Sequence, residues 1–103
     1  MAAHASEAQQ SNREEWDNTF SLVARDPATG AVGGAVSTAR LSVGNRVLQI
    51  EFGIGAVASQ ANTNTMLAKD SMDRLRQGAT AKEALDAALL ADEKREERQL
   101  SVI

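Results

Sequence analysis

The sequence contains no cysteine and no tyrosine, and its single histidine is His4. Without cysteine the polypeptide supplies no disulfide, no thiolate nucleophile, no zinc ribbon and no ligand for an iron–sulfur cluster. Because His4 stands alone near the N-terminus, a Ser-His-Asp triad or a histidine-built metal site would need residues from outside the body of the chain. We therefore expect neither a metal nor a cofactor.

Positive charge is also scarce. Residues 1–18 carry Glu7, Glu14, Glu15 and Asp17 against Arg13, whereas residues 19–103 balance ten acids with ten bases. The body has no basic excess, and its only aromatic residues are two phenylalanines. Binding to nucleic acid requires a positive field and stacking surfaces, so we exclude this class of partner.

Long apolar runs are absent too. No segment approaches the roughly 20 apolar residues of a membrane-spanning helix, and the N-terminus lacks the basic start and apolar stretch of a secretory signal. The sequence favours a cytoplasmic protein without a membrane partner. Residues 1–18 have the polar, acidic composition of a leader or docking arm, with a weak helix signal over residues 11–16. Residues 19–103 suffice for one domain.

The first half of this domain has the period of two that indicates strands. TFSLVAR from Thr19 alternates, DPATG is typical of a hairpin turn, and AVGGAVST predicts the returning strand. Two adjacent glycines in that strand indicate a bulge or a close approach. RVLQIEF (residues 46–52) alternates again, and IGAVAS (residues 54–59) reads as a strand buried on both faces.

The second half has helical periodicity. From Thr65 the residues on one helical stripe are Leu67, Ala68, Ser71, Met72 and Leu75. Gly78 ends this helix, and Thr80 with Glu83 begins a second helix that runs to about residue 91. Residues 92–97 read as a solvated charged loop, and QLSVI has strand character. These elements predict half of a layered α+β domain with one bare sheet face, which another polypeptide should cover.

Four segments carry a resemblance to a known family: TFSLVARDPATG, VGNRVLQIEFGIGAVASQA, RLRQGATAKEALDAALLAD and REERQLSVI. In this order and spacing they resemble the N-terminal half of the DUF1028 family of bacterial proteins, over residues 19–103. The resemblance implies the four-layer αββα sandwich of the N-terminal nucleophile (Ntn) hydrolases. In that superfamily a Thr, Ser or Cys at the start of the first strand attacks an amide carbonyl and uses its own α-amine as the base.

The resemblance also implies a set of site residues. Thr19 matches the threonine that opens the family pattern. Because residues 1–18 precede Thr19 in this sequence, its amine becomes free only if the bond from Asn18 is cut. Thr38 matches a small hydroxyl residue, and Arg98-Gln99 matches the pair that leads into the fifth strand. The positions matching a Ser/Thr-Gln pair and a following asparagine are Ser59, Gln60 and Asn64.

An N-terminal threonine carries nucleophile and base on one residue, which suits a domain without histidine. Thr19 is therefore the candidate catalytic residue, and the alternative is a β-branched residue that begins a strand. Ser59, Gln60 and Asn64 could donate hydrogen bonds to substrate or to an oxyanion, or could make ordinary strand-end and turn bonds. Thr38 is the remaining candidate for substrate binding, with a purely structural role as its alternative.

The expected function is that of an Ntn-type amidohydrolase, which hydrolyses a small amide or related C–N bond. The expected assembly is a hetero-oligomer in which a companion chain supplies the rest of the domain. In one version Thr19 is released and attacks; in the other an internal cut places the nucleophile at the start of the companion. The alternative is a non-catalytic binding or assembly subunit that keeps the fold. A truncation without natural meaning would instead leave an exposed apolar patch.

Overall fold

The computed structural model describes residues 19–41 and 43–103. The five strands are β1 (Phe20–Arg25), β2 (Val32–Ser37), β3 (Leu48–Glu51), β4 (Gly55–Gln60) and β5 (Gln99–Val102). The helices are α1 (Gly44–Val47), α2 (Thr65–Arg76) and α3 (Ala81–Leu90), with a 3₁₀ turn at Arg95–Glu97. The chain is thus an α+β protein. The acidic leader and its predicted helix lie outside the described residues.

The strands form two antiparallel sheets. β1 and β2 make a hairpin, and β3, β4 and β5 make a sheet with β4 in the centre. The predicted turn closes the hairpin: Asp26 accepts the N–H of Ala28 at 2.9 Å through its side chain, and Gly30 adopts a φ of 75°. The hydrogen bond from Ala28 holds the pKa of the Asp26 carboxyl below its usual range. The sequence prediction of this hairpin is confirmed.

The hairpin packs on one face of the β3–β4–β5 sheet. A Cβ placed on Gly34 would lie 3.2 Å from a methyl carbon of Leu48 and 3.5 Å from one of Ile50, both on β3. Gly34 therefore allows the two sheets to approach each other closely. The sequence analysis had offered a close approach or a bulge for the adjacent glycines, and the close approach is confirmed. The other, a bulge, is absent, since β1 and β2 pair in unbroken register from Phe20 to Arg25.

Helices α2 and α3 cover the opposite face of the three-stranded sheet. Val57 of β4 packs with Ala68 and Met72 of α2, and Leu75, Leu100 and Val102 border this cluster. The predicted stripe of α2 is buried at Leu67, Ala68, Ser71 and Met72. Thr80 caps α3 as predicted, accepting the N–H of Glu83 at 3.2 Å. The described residues thus form three layers: hairpin, sheet and helices.

Two sequence expectations need correction. Arg46 and Val47 were predicted in a strand, but they belong to α1, because the carbonyl of Val43 accepts the N–H groups of both residues and Val47 is buried. Gly44 and Asn45 are turn-forming residues that favour this helical turn. The charged loop was predicted to be solvated, yet Asp92 is buried against Arg98. Spacing alone does not reveal such a pair.

Candidate functional site

A cleft of about 510 Å³ opens at the end of the hairpin where β1 begins and β2 ends. Its described lining residues are Thr19, Thr38, Arg40, Val43, Arg46, Val47, Gln60, Ala61, Asn62, Thr63 and Gln99. They come from the start of β1, the segment after β2, α1 and the residue before it, the end of β4 with the turn that follows, and β5. Three of the five sequence-predicted site residues, Thr19, Thr38 and Gln60, are therefore brought together.

The hydroxyl groups of Thr19 and Thr38 form the polar centre of the cleft. Their Oγ1 atoms lie 2.9 Å apart, within hydrogen-bond distance. Antiparallel pairing of β1 and β2 brings these two residues to the same end of the hairpin. The Thr38 hydroxyl also accepts the backbone N–H of Arg40 at 3.2 Å. The Thr19 hydroxyl is thereby oriented by a partner that is itself anchored to the backbone.

Gln60 holds the backbone of Thr19 in place. Its Nε2 atom donates to the carbonyl oxygen of Thr19 at 3.1 Å and to Oε1 of Gln99 at 2.8 Å. The two hydrogens of the amide nitrogen are both used by these bonds. Gln60 is therefore a positioning residue for Thr19 in this structure, and its amide nitrogen is not free to bind an oxyanion.

Ser59 and Asn64 do not reach the cleft. Ser59 precedes Gln60 on β4, and successive side chains of a strand point to opposite faces; Ser59 is fully buried on the helix side. Asn64 caps α2, its Oδ1 accepting the N–H of Met66 at 3.0 Å. The capping bond is the ordinary structural role that the sequence had left open for Asn64.

The turn after β4 lines the cleft with an unusual backbone. Ala61 and Asn62 have φ values of 58° and 53°, the left-handed region that non-glycine residues rarely adopt. This backbone conformation lowers the stability of the folded state by about 1 kcal/mol or more for each non-glycine residue, and it persists where surrounding contacts hold it. Asn62 is held from two sides, because Arg98 donates to its carbonyl oxygen and its side chain donates to Glu97.

Arg98 is in turn fixed by Asp92. Its Nε donates to Asp92 Oδ2 at 2.8 Å, and both side chains are more than nine-tenths buried. Asp92, Arg98 and Asn62 thus form a chain of contacts from the end of α3 to the cleft wall. The sequence signal for this series of contacts was the Arg98-Gln99 pair. Arg98 donates to the turn after β4, and Gln99 accepts a hydrogen bond from Gln60.

We expect the Asp92–Arg98 pair to stabilise the protein in a pH-dependent way. The hydrogen bond from Arg98 lowers the pKa of Asp92 below its ordinary value of 3.8. A depressed carboxyl pKa contributes stability above the unfolded value, and this contribution is lost as pH falls through the folded value. Asp92→Asn should therefore lower Tm by several degrees at pH 7, and the difference from wild type should shrink below pH 4.

Thermal unfolding from pH 7 to pH 2.5 measures this effect. Asp86→Asn is the matched control, because the Asp86 carboxylate is exposed and pairs with Lys82 one turn away on α3; such pairs contribute little. Equal losses of Tm for Asp92→Asn at pH 7 and pH 3 would contradict the prediction.

Comparison with known proteins identifies the relatives of the chain. The sequence profile of the family of unknown function DUF1028 matches residues 19–103. The chain belongs to the DUF1028 family. The matched region begins at Thr19, the residue whose hydroxyl lies in the cleft, and no curated protein matched the sequence.

A DUF1028 protein of known structure has the same fold. The crystal structure of protein SPO2555 from Silicibacter pomeroyi superposes with a TM-score of 0.77 at 38% sequence identity. The match covers 82% of this chain and 40% of the SPO2555 chain. This chain therefore spans less than half the length of its DUF1028 relative.

The described part of this DUF1028 chain contains neither a candidate metal site nor a candidate membrane span. In residues 19–41 and 43–103, no three His, Cys, Asp or Glu side chains are grouped to hold a metal ion. None of the helices in this part of the chain is long and apolar enough to cross a membrane.

Proposed function

We propose that this chain is one part of an Ntn-type amidohydrolase that hydrolyses a small amide or related C–N bond, with Thr19 as its nucleophile. One observation carries the proposal. The hydroxyl of Thr19 lies in a cleft at the start of β1, 2.9 Å from the Thr38 hydroxyl, while Gln60 holds the Thr19 carbonyl. These contacts fix the reacting residue in one orientation, which is what nucleophilic catalysis requires.

The chemistry begins with hydrolysis of the peptide bond between Asn18 and Thr19, which frees the α-amine of Thr19. The amine takes the proton of the Thr19 hydroxyl as Oγ1 forms a bond to the amide carbonyl carbon. The C–N bond of the substrate then breaks, and the leaving amine receives that proton. Water hydrolyses the resulting ester, with the α-amine again acting as base, and restores the hydroxyl.

The remainder of the sandwich comes from a companion polypeptide. On β1 and β2, the side chains facing away from the sheet include Phe20, Leu22 and Ala35. Phe20 is 59% exposed and Leu22 is 43% exposed. A second helical layer on this face would bury them and complete an αββα arrangement. The greater length of the SPO2555 chain supports a longer complete domain in this family.

The deciding experiment is the intact mass of every polypeptide in the native purified protein, with the N-terminal residue of each identified. A chain that begins at Thr19 is the expected result and makes residues 1–18 a propeptide. A chain intact from Met1 beside a companion that begins with Thr, Ser or Cys would move the nucleophile to the companion. Intact chains without any such terminus would overturn the proposed mechanism.

A further inference from the structure

Two arginines lie in the lining of the cleft. Arg40 and Arg46 both line it, and no Asp or Glu is among its described lining residues. The side chain of Asn62, one of the lining residues, donates to Glu97. Residues 19–103 as a whole are neutral. Arg46 therefore brings a positively charged side chain to the lining of the cleft.

Arg46 is the cation on which the inference rests. No salt bridge within the described residues includes it, whereas Arg74, Arg76, Arg95 and Arg98 each pair with a carboxylate there. Its backbone is fixed, since its N–H donates to Val43 at 3.0 Å and the next residue, Val47, is buried. Arg46 thus lines the cleft from a hydrogen-bonded helical turn.

We infer that the cleft takes an amide substrate that also carries an anionic oxygen group, bound by Arg46. A guanidinium presents a planar fork of N–H donors that matches carboxylate and phosphate oxygens. The neutral donors and acceptors of Thr19 and Thr38 lie in the same cleft. A single small substrate would then place its amide group at the two threonines and its anionic group at Arg46. This inference rests on the proposed function and adds the substrate class.

The test compares amides that differ in charge. Succinamate carries an amide and a carboxylate, 3-phosphonopropionamide carries an amide and a phosphonate, and butanamide is a neutral amide of similar length. Binding of each to the native purified protein is followed by NMR titration of backbone amide signals, so the readout does not depend on hydrolysis. We expect at least one anionic amide to bind about 10- to 100-fold more tightly than butanamide, as a charge-assisted hydrogen bond allows. The tighter of the two identifies the anionic group.

Arg46→Gln should remove this preference, so that the anionic amides bind no more tightly than butanamide, while Arg46→Lys should retain part of the preference. The matched control is Arg25→Gln, because Arg25 is exposed at the other end of β1 and is outside the described salt bridges. Equal binding of all three amides, no saturable binding of either anionic amide, or equal effects of the two glutamine variants would overturn the inference.

The inference and the proposed function fail in different ways. Anion binding that depends on Arg46, without hydrolysis of any of the three amides, would leave the anion site standing and count against the proposed function. Amide hydrolysis without preference for an anionic substrate would leave the proposed function standing and remove the inference. Release of ammonia from the same three amides distinguishes these cases.

Discussion

Thr19→Ala should reduce amide hydrolysis by the native protein at least about 10³-fold, because it removes the atom that forms the covalent bond to substrate. The substitution deletes one partner of the Thr19–Thr38 hydroxyl contact and leaves the carbonyl that Gln60 holds. Thr19→Ser keeps a hydroxyl at the same position and should retain a measurable rate. Release of ammonia or amine from a panel of small amides gives kcat and KM for each protein.

Thr29→Ala is the control for this experiment. Thr29 lies in the turn at the far end of the hairpin, where its hydroxyl donates to Asp26 at 3.0 Å. This variant should hydrolyse amides like wild type. Circular dichroism of all three variants checks that the fold is kept. Undiminished hydrolysis by Thr19→Ala would assign Thr19 a structural role and place the nucleophile on another residue.

Met72→Ala should lower the free energy of unfolding by about 2–5 kcal/mol, the range observed when a large buried apolar side chain is cut back. Met72 is 1% exposed and packs with Val57 and Ala68 at the junction of α2 and the sheet. The domain has few large buried side chains, since alanine supplies much of its core. The cavity left by the substitution would therefore have little around it that could collapse to fill it.

Urea unfolding of the native protein measures this loss, and Met66→Ala is the control. Met66 is on the same helix but 60% exposed, so its truncation should change the free energy of unfolding by no more than about 0.5 kcal/mol. A similar loss for both variants would contradict the assignment of the effect to core packing, because alanine is the stronger helix former at either position.

The sequence predicted the elements well where periodicity was strong. Alternation identified β1, the short apolar run identified β4 as a buried strand, and the helical stripe placed Met72 on the buried face of α2. Local chemistry also sufficed for the hairpin turn and for Thr80 as the cap of α3. These features depend on residues close together in the sequence, so a single chain carries the information.

The cleft was harder to predict because its contacts join distant residues. Gln60 contacts Thr19 and Gln99, which are 41 and 39 positions away. The position of Arg46 in the cleft lining was not predicted, because residues 46 and 47 of α1 had been predicted to lie in a strand. The role of Asp92 was missed because a mixed run of charges reads as solvated. Ser59 is different: strand alternation alone separates it from Gln60, so that difference was available from the sequence.

The alternation of β4 has a consequence for how this family can vary in length. Val57 and Ser59 face the helices, whereas Ala58 and Gln60 face the hairpin, and both faces are buried. Inserting or deleting one residue within β4 would exchange the two sets, moving Gln60 away from Thr19 and pushing Val57 out of the helix side. Homologous chains should therefore place their length differences in the connecting loops and keep this strand free of gaps, a pattern that an alignment of many members can reveal.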